Sequence, residues 1–175
     1  MANTYRSCNS SIQQNDLSFS SSVNHQPESG IYDLTIASAT YDRDNGQFEC
    51  HMKEGGTGRQ LHSKAVELTV LLQPSAPSLR PLKPDATEGR LLNLTCSSIG
   101  GSPPPEIEWF NKDTGKRVES TLIPGRTKDE PTVAVLAIDP KKKDDGSNFT
   151  CTVWNRAMKK EDKFKDSTQI FVKCE

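Results

Sequence analysis

The stretch CSSIGGSPPPEIEW at residues 96–109, followed by NFTC at residues 148–151, decides the fold of this chain. Its two cysteines bracket a single tryptophan, Trp109, which lies thirteen residues after Cys96. Two antiparallel sheets that pack about 10 Å apart can be tied together by a disulfide with an indole packed against it. The spacing therefore predicts a two-layer β-sandwich in which Cys96 and Cys151 form a disulfide and Trp109 fills the core.

The segments around these residues alternate between apolar and polar positions, as strands with one buried face do. Leu94 and Cys96 are predicted to point inward, while Asn93 points outward. A second series with the same period precedes Cys151 and consists of Ala134, Leu136 and Ile138. This order of strands is typical of an immunoglobulin-like domain, which we predict over residues 74–173. The alternative is another β-sandwich whose core contains two reduced cysteines.

A second set of strand signals lies upstream, in residues 31–73. The segments YDLTI at 32–36, DNGQFEC at 44–50 and VELTV at 66–70 fit strands E, F and G of a first immunoglobulin-like domain. No tryptophan lies between Cys8 and Cys50, so the front half of that domain is not recognisable. The predicted fold class is therefore all-β, with tandem immunoglobulin-like sandwiches of which the first is incomplete at its N-terminal half.

Residues 1–30 are rich in Ser, Asn and Gln and offer little to bury, which predicts a disordered segment outside the framework. The chain has five cysteines, an odd number. Cys8 is interpreted as lying outside the normal framework, although a bridge from Cys8 to Cys50 stays open. Cys174 follows the last predicted strand and is expected to be unpaired.

Composition limits the function classes. With 33% hydrophobic residues and a formal net charge of -1, the chain fits neither a nucleic-acid binder nor a membrane span. The opening residues lack a secretion signal, so we expect a leader and a membrane anchor to lie outside this chain. Three Asn-x-Ser/Thr sequons, at Asn9, Asn93 and Asn148, predict glycosylation and an extracellular location.

Catalytic and metal chemistry find little support in the sequence. Asp42 could begin a calcium loop, but Lys53 stands where that loop needs a bidentate glutamate. Ligand spacing is absent around the three histidines, which are His25, His51 and His62. We therefore predict a binding protein rather than an enzyme, with no cofactor.

Two features are candidates for partner binding. The loop between predicted strands F and G of the first domain carries three glycines and an arginine, which are Gly55, Gly56, Gly58 and Arg59. Glycines permit positive φ angles, and loop tips often carry recognition, although a passive hairpin is the alternative. Trp154 should stand outward on strand F of the second domain and could anchor a partner. Alternatively, Trp154 packs beneath Lys or Arg side chains of neighbouring strands.

Several motifs resemble the nephrin and Kirre group of immunoglobulin adhesion receptors. They are YDLTI at 32–36, DRDNGQFEC at 42–50, EGGTGR at 54–59, CSSIGGSP at 96–103 and CTVWNRA at 151–157. The resemblance implies homophilic or heterophilic adhesion at the plasma membrane, with other cell-surface immunoglobulin proteins as partners. The alternatives are a ligand-binding ectodomain of a signalling receptor, a secreted recognition protein, and an intracellular array of the muscle type, which glycans on Asn93 or Asn148 would exclude.

Overall fold

The computed structural model describes residues 7–8, 21–54 and 56–173 of the 175-residue chain. The chain divides between Val70 and Leu71 into two compact parts, which we call unit 1 and unit 2. The described residues of both units are mostly β-strands, with short helical turns between them. The all-β prediction is therefore confirmed.

Unit 1 is built from two small groups of antiparallel strands. Its elements are β1 (Ser7–Cys8), β2 (Ser21–Gln26), a 3-10 turn (Pro27–Ser29), β3 (Ile31–Ile36), α1 (Tyr41–Asp44), β4 (Gly46–Lys53) and β5 (Gln60–Leu68). Strand β4 lies between β1 and β5, while β2 and β3 form a two-stranded ribbon. The segments predicted as strands E, F and G correspond to β3, β4 and β5.

The structure differs from the predicted disorder of residues 1–30 at strand β2. Its six residues pair with β3, from Ser21 opposite Ile36 to Gln26 opposite Ile31. All six are exposed, so backbone pairing forms this strand without the buried face that a sequence pattern would reveal. Asn9 lies outside the described residues.

Cys8, which was expected outside the framework, lies opposite Met52 in the pairing of β1 with β4. Cys50 on β4 is disulfide-bonded. The side chains of Cys8 and Cys174 lie outside the described ones, so the partner of Cys50 stays a prediction.

An open apolar groove occupies the interior side of unit 1. It has a volume of about 440 Å³, and its lining includes Leu34, Phe48 and Val66. Val66 is 59% exposed, although it faces this interior groove. Among the described residues, the buried hydrophobic core lies wholly in unit 2. Within its described residues, unit 1 therefore has an open apolar groove rather than a closed core, and the incompleteness of this domain stays a prediction.

An ion pair fixes the turn before β4. The Arg43 guanidinium donates to both carboxylate oxygens of Asp44, at 2.8 and 2.7 Å, and the Thr40 backbone N–H donates to the same carboxylate at 2.7 Å. These hydrogen bonds, led by that from Arg43, lower the pKa of Asp44 below its ordinary value of 3.8. The motif that could have begun a calcium loop is thus a short helix in which Asp44 is already engaged.

Unit 2 contains eleven strands in a two-layer arrangement. They are β6 (Leu72–Pro74), β7 (Ser78–Arg80), β8 (Asp85–Thr87), β9 (Leu92–Ser102), β10 (Glu106–Asn111), β11 (Lys116–Val118), β12 (Thr121–Ile123), β13 (Pro131–Ile138), β14 (Asn148–Trp154), β15 (Phe164–Gln169) and β16 (Phe171–Lys173). One sheet has the order β11-β10-β14-β15, and the other has the order β12-β13-β9-β6, with β7 also on β9. Short β8 runs parallel to β16.

The disulfide joins the centres of the two sheets, as predicted. Cys96 lies opposite Ala134 in one sheet, and Cys151 lies opposite Trp109 in the other. Both cysteines and Trp109 are 0% exposed, and the indole Nε1 donates to the Ala134 carbonyl at 3.3 Å. The hydrogen bond satisfies the one polar atom of the ring, so the indole is buried without an orphaned donor.

The proline-containing segment at residues 73–77 is partly a strand of unit 2. Strand β6 places Leu72 opposite Ser102 and Pro74 opposite Gly100. Asn155, which is 3% exposed, donates from its side-chain amide to the Leu72 carbonyl at 2.7 Å and the Pro103 carbonyl at 2.9 Å. One buried amide therefore holds the first strand of unit 2 against the β9–β10 turn.

Removing the disulfide should strongly destabilise unit 2. The bridge spans a sequence separation of 55 residues, and a loop of this size contributes about 4 kcal/mol in the chain-entropy model. We expect the double variant C96S/C151S to lose most of its cooperative thermal unfolding and to show red-shifted tryptophan fluorescence. The control C174S should unfold like the parent, and an unchanged melting temperature of the double variant would contradict the prediction.

Acid should loosen the α1 turn of unit 1. Because folding lowers the pKa of Asp44, its contribution is present above the ordinary pKa and is lost as pH falls through the folded one, below about pH 4. Hydrogen exchange at the Thr40 amide, corrected for its intrinsic pH dependence, should lose protection in that window. In D44N this pH-dependent loss should vanish, whereas D33N, at an exposed position on β3, should retain it.

Candidate functional site

The glycine loop of unit 1 is a closed turn between β4 and β5. The Glu54 N–H donates to the Arg59 carbonyl at 2.8 Å, and the Gly58 N–H donates to the Glu54 carbonyl at 3.0 Å. Gly56 and Gly58 have φ angles of 86° and 72°, in the left-handed region that favours glycine. Gly55 lies outside the described residues.

Side chains brace the same loop. The Thr57 hydroxyl donates to the Glu54 carboxylate at 2.8 Å, and Arg59 Nε lies 3.4 Å from that carboxylate. The Arg59 side chain is nevertheless 72% exposed, so its charge is presented to solvent at the end of a fixed turn. This geometry is compatible with recognition and with a passive hairpin, and the role of the loop stays a prediction.

The second candidate surface belongs to unit 2. The solvent-facing side chains of β10, β14 and β15 form one surface, which we call the outer face. Since Trp109 and Cys151 point into the core, the alternate residues of β10 and β14 point outward. Strand pairing arranges these residues in rows: Glu106 beside Trp154, Glu108 beside Thr152 and Lys165, and Phe110 beside Thr150 and Ser167.

Trp154 lies on this face, as its position on strand F predicts. The Lys163 ammonium lies 3.4 Å from the centroid of the indole ring, and Trp154 is half-buried. A cation over an indole face is attracted by the ring quadrupole. The alternative of packing beneath a lysine side chain is thus what the structure contains, while partner anchoring by Trp154 stays a prediction.

Charge is divided across the outer face by strand. The two acidic residues, Glu106 and Glu108, lie on β10, and the two basic residues, Lys163 and Lys165, lie at or just before β15. The side chains between them on β14 are uncharged. Arg117 of neighbouring β11 lies 3.1 Å from the Glu108 carboxylate, with its own side chain 68% exposed. This division of charge has a signal in the sequence. The alternate residues Glu106 and Glu108 are acidic, and the alternate residues Lys163 and Lys165 are basic.

The middle of the face is shallow and partly covered. Thr152 points outward yet is only 5% exposed. Thr150 and Ser167 share a hydrogen bond at 2.9 Å across β14 and β15. A depression of about 390 Å³ is lined by residues that include Glu108, Phe110, Thr150 and Lys165. Phe110 was not singled out in sequence, since an outward aromatic has no marker beyond its period-2 position.

The two described sequons differ in accessibility. Asn93 is exposed on β9, opposite exposed Ala137 of β13. Asn148 is half-buried, and its side-chain amide donates to the Gly146 carbonyl at 3.3 Å. Its backbone N–H also donates to Asp113 at 2.9 Å. The side-chain amide nitrogen also donates to the Asp113 carboxylate at 3.5 Å. Because N-glycosylation replaces one of the two amide hydrogens, attachment at Asn148 would remove one of these two hydrogen bonds, whereas attachment at Asn93 would not.

Comparison with known proteins adds family information to this geometry. Residues 83–163 match the immunoglobulin domain. Two relatives match a longer part of this chain. The chain is 33% identical to the Irregular chiasm C-roughest protein of Drosophila melanogaster over 138 residues, which is 74% of this chain and 18% of that protein. It is 31% identical to junctional adhesion molecule A of Rattus norvegicus over 128 residues, which is 70% of this chain and 41% of that protein.

Among solved structures, the crystal structure of Rst D1-D2 matches with a TM-score of 0.62 at 28% identity, over 87% of this chain and 75% of that one. The immunoglobulin domain of unit 2 thus occurs in a chain that is similar, at modest identity, to cell-adhesion proteins. The chain spans less than half the length of these curated relatives. Within the described ranges, the helices are too short to cross a membrane.

Glycan occupancy should follow the accessibility of the two sequons. When the chain is secreted from insect or mammalian cells, we expect Asn93 to carry a glycan in most molecules and Asn148 in fewer, because the Asn148 amide is already engaged. Intact mass and glycopeptide mapping would measure both. T95A, which removes the Asn93 sequon but keeps Asn93, should match N93Q in mass loss, and higher occupancy at Asn148 would contradict the prediction.

Proposed function

We propose that this chain is an extracellular part of a cell-surface receptor that mediates cell–cell adhesion through its immunoglobulin domains. The main support is its similarity to the roughest protein and to junctional adhesion molecule A, both across more than two thirds of this chain. A third relative, cell adhesion molecule 2 of Xenopus tropicalis, is 27% identical over 138 residues. Two of these three relatives, junctional adhesion molecule A and cell adhesion molecule 2, are named for adhesion.

The partner class is part of the proposal. We expect other cell-surface immunoglobulin proteins, either a second copy of this receptor or a related one, and membrane attachment through a span outside this chain. Within the adhesion receptors, the motifs at 32–36, 42–50 and 54–59 favour the nephrin and Kirre group and, within it, resemblance to echinoid. The same motifs include the candidate loop whose Arg59 is exposed.

The physical support for this proposal is that unit 2 presents surfaces suited to contact with another protein rather than a reactive site. Unit 2 has a disulfide-tied core and an outer face with two aromatic residues, polar residues and charges of both signs. Such a mixture of an aromatic anchor and charged edges suits protein recognition. The exposed Asn93 fits an extracellular location.

Bead clustering tests the proposal. The full chain is fused at its C-terminus to a tag that couples it to fluorescent beads, and clustering is scored alone and against beads that carry a panel of cell-surface immunoglobulin ectodomains. We expect clustering with itself or with a member of the panel. The unrelated-protein control is an immunoglobulin domain of an intracellular muscle protein.

Capture of a soluble growth factor or a microbial glycan, without clustering on any immunoglobulin ectodomain, would reject adhesion in favour of a ligand-binding or secreted recognition protein. The R59A variant serves as a probe of the unit 1 loop. If the loop takes part, clustering should weaken, while the melting temperature should change little because the Arg59 side chain is exposed.

A further inference from the structure

The second sheet of unit 2 has an outward surface that is almost without charge. Leu94, Cys96 and Leu136 are buried in the core, so the alternate residues of β9 and β13 point to solvent. Pairing of β12 with β13 and of β7 with β9 extends this surface on both sides. We call it the β13 face, and it consists of the outward alternate residues of 78–80, 93–99, 121–123 and 131–137.

Apolar side chains dominate the part of this face that β12 and β13 form. Ile99 and Ile123 are 54% and 55% exposed, and Val133 and Val135 are half-buried beside them. Arg80 is the only charged residue among the described positions of the face, although charged residues make up 26% of the chain. A contiguous apolar surface of this kind on a folded domain marks a place that another group covers.

The sequon residue Asn93 lies on the same face. It is exposed and lies opposite Ala137 of β13, while Thr95, which completes the sequon, lies opposite Val135. Both sequon side chains therefore point out of the sheet on the same side as the apolar residues. A glycan attached to Asn93 would begin on the β13 face itself.

The apolar side chains lie close enough for such a glycan to reach them. Asn93 and Val135 are diagonal neighbours across the strand pair, a relation that separates residues by about 7–8 Å. Ile123 lies two strands away on β12, at about 16 Å from Asn93 by strand spacing and rise. The core of an N-linked glycan contains several sugar rings, so it can extend along the face from Ala137 to Ile123.

Sugar rings suit this surface because each ring has apolar C–H groups as well as hydroxyls. The C–H groups can pack on aliphatic side chains and remove apolar area from water, while the hydroxyls stay hydrated. Thr95 and Thr121 add hydroxyls to the face, and a hydroxyl both donates and accepts hydrogen bonds. Arg80 is on β7, on the other side of β9 from β13, so the cover would desolvate no charge.

We propose that the N-linked glycan of Asn93 packs over the β13 face and covers its apolar side chains. The inference rests on the extracellular location within the proposed function, because glycosylation requires secretion, but it does not rest on adhesion. A second copy of the chain is the competing occupant. The sequon favours the glycan, since a sugar chain that begins on this face would obstruct a protein partner there.

Radical footprinting of the secreted full chain tests this cover. The matched pair is T95S, which keeps the sequon, and T95A, which removes it, so glycans at other sequons are common to both. Oxidation by hydroxyl radicals, read by mass spectrometry, measures how accessible each side chain is. We expect labelling of Val135 and Ile123 to be at least about twofold stronger in T95A, because their area is uncovered. Phe110, on the other sheet, should label equally in both.

The consequences of an uncovered face give a second measurement. N93Q should bind more of the apolar dye ANS than the parent and should associate at high concentration. Adding I99T and I123T, at positions that are more than half exposed, should reverse both effects because it removes apolar surface. If N93Q is poorly secreted, the same two substitutions should restore its secretion, and failure to restore it would count against the proposal.

Equal labelling of Val135 and Ile123 in T95S and T95A, or a secreted parent without a glycan on Asn93, would overturn the proposal. A glycosylated parent that dimerises, and whose dimer is lost in I99T/I123T, would assign the face to a second copy instead. The proposed adhesion fails separately. Absence of bead clustering would reject adhesion whatever the footprint shows, and an uncovered face would reject only the role of the glycan.

Discussion

The disulfide between Cys96 and Cys151, with Trp109 beside it, is the constraint on which the rest of unit 2 depends. It joins the central strands of both sheets. Strands β6, β7 and β13 pair with β9, and β10 and β15 pair with β14, so the sheets build outward from these two strands. A cross-link and a fully buried ring also fix which side of each strand faces inward. The alternation that places Phe110 and Trp154 on the outer face is therefore a consequence of that central contact.

The described residues of unit 1 do not form a closed core of this kind. Its strands pair well, yet apolar residues such as Leu34 and Val66 line an open groove rather than a closed core. Hydrogen bonding between strands needs only neighbours, whereas burial needs a second layer that covers the first. Its local order comes from turns and pairs, such as the Arg43–Asp44 contact, more than from burial.

Much of unit 2 could be predicted because its signals are local or strictly spaced. The Cys96, Trp109 and Cys151 spacing located the core, and a period of two located the buried sides of β9, β13 and β14. Strand β2 could not be predicted, because all of its side chains are exposed. Asn155 was missed for a different reason: its value comes from two carbonyls, at Leu72 and Pro103, that are distant in sequence.

The sequence by itself determined the all-β class, the tandem order and the bridge between the sheets, since residue type and spacing along one chain are enough for these. Only the tertiary structure decided that Lys163 covers Trp154 and that Glu106 and Glu108 share one face with Lys163 and Lys165. The physical reason is that a charge pattern across strands depends on register. Strand register joins residues such as Glu108, Thr152 and Lys165, which are far apart in the chain.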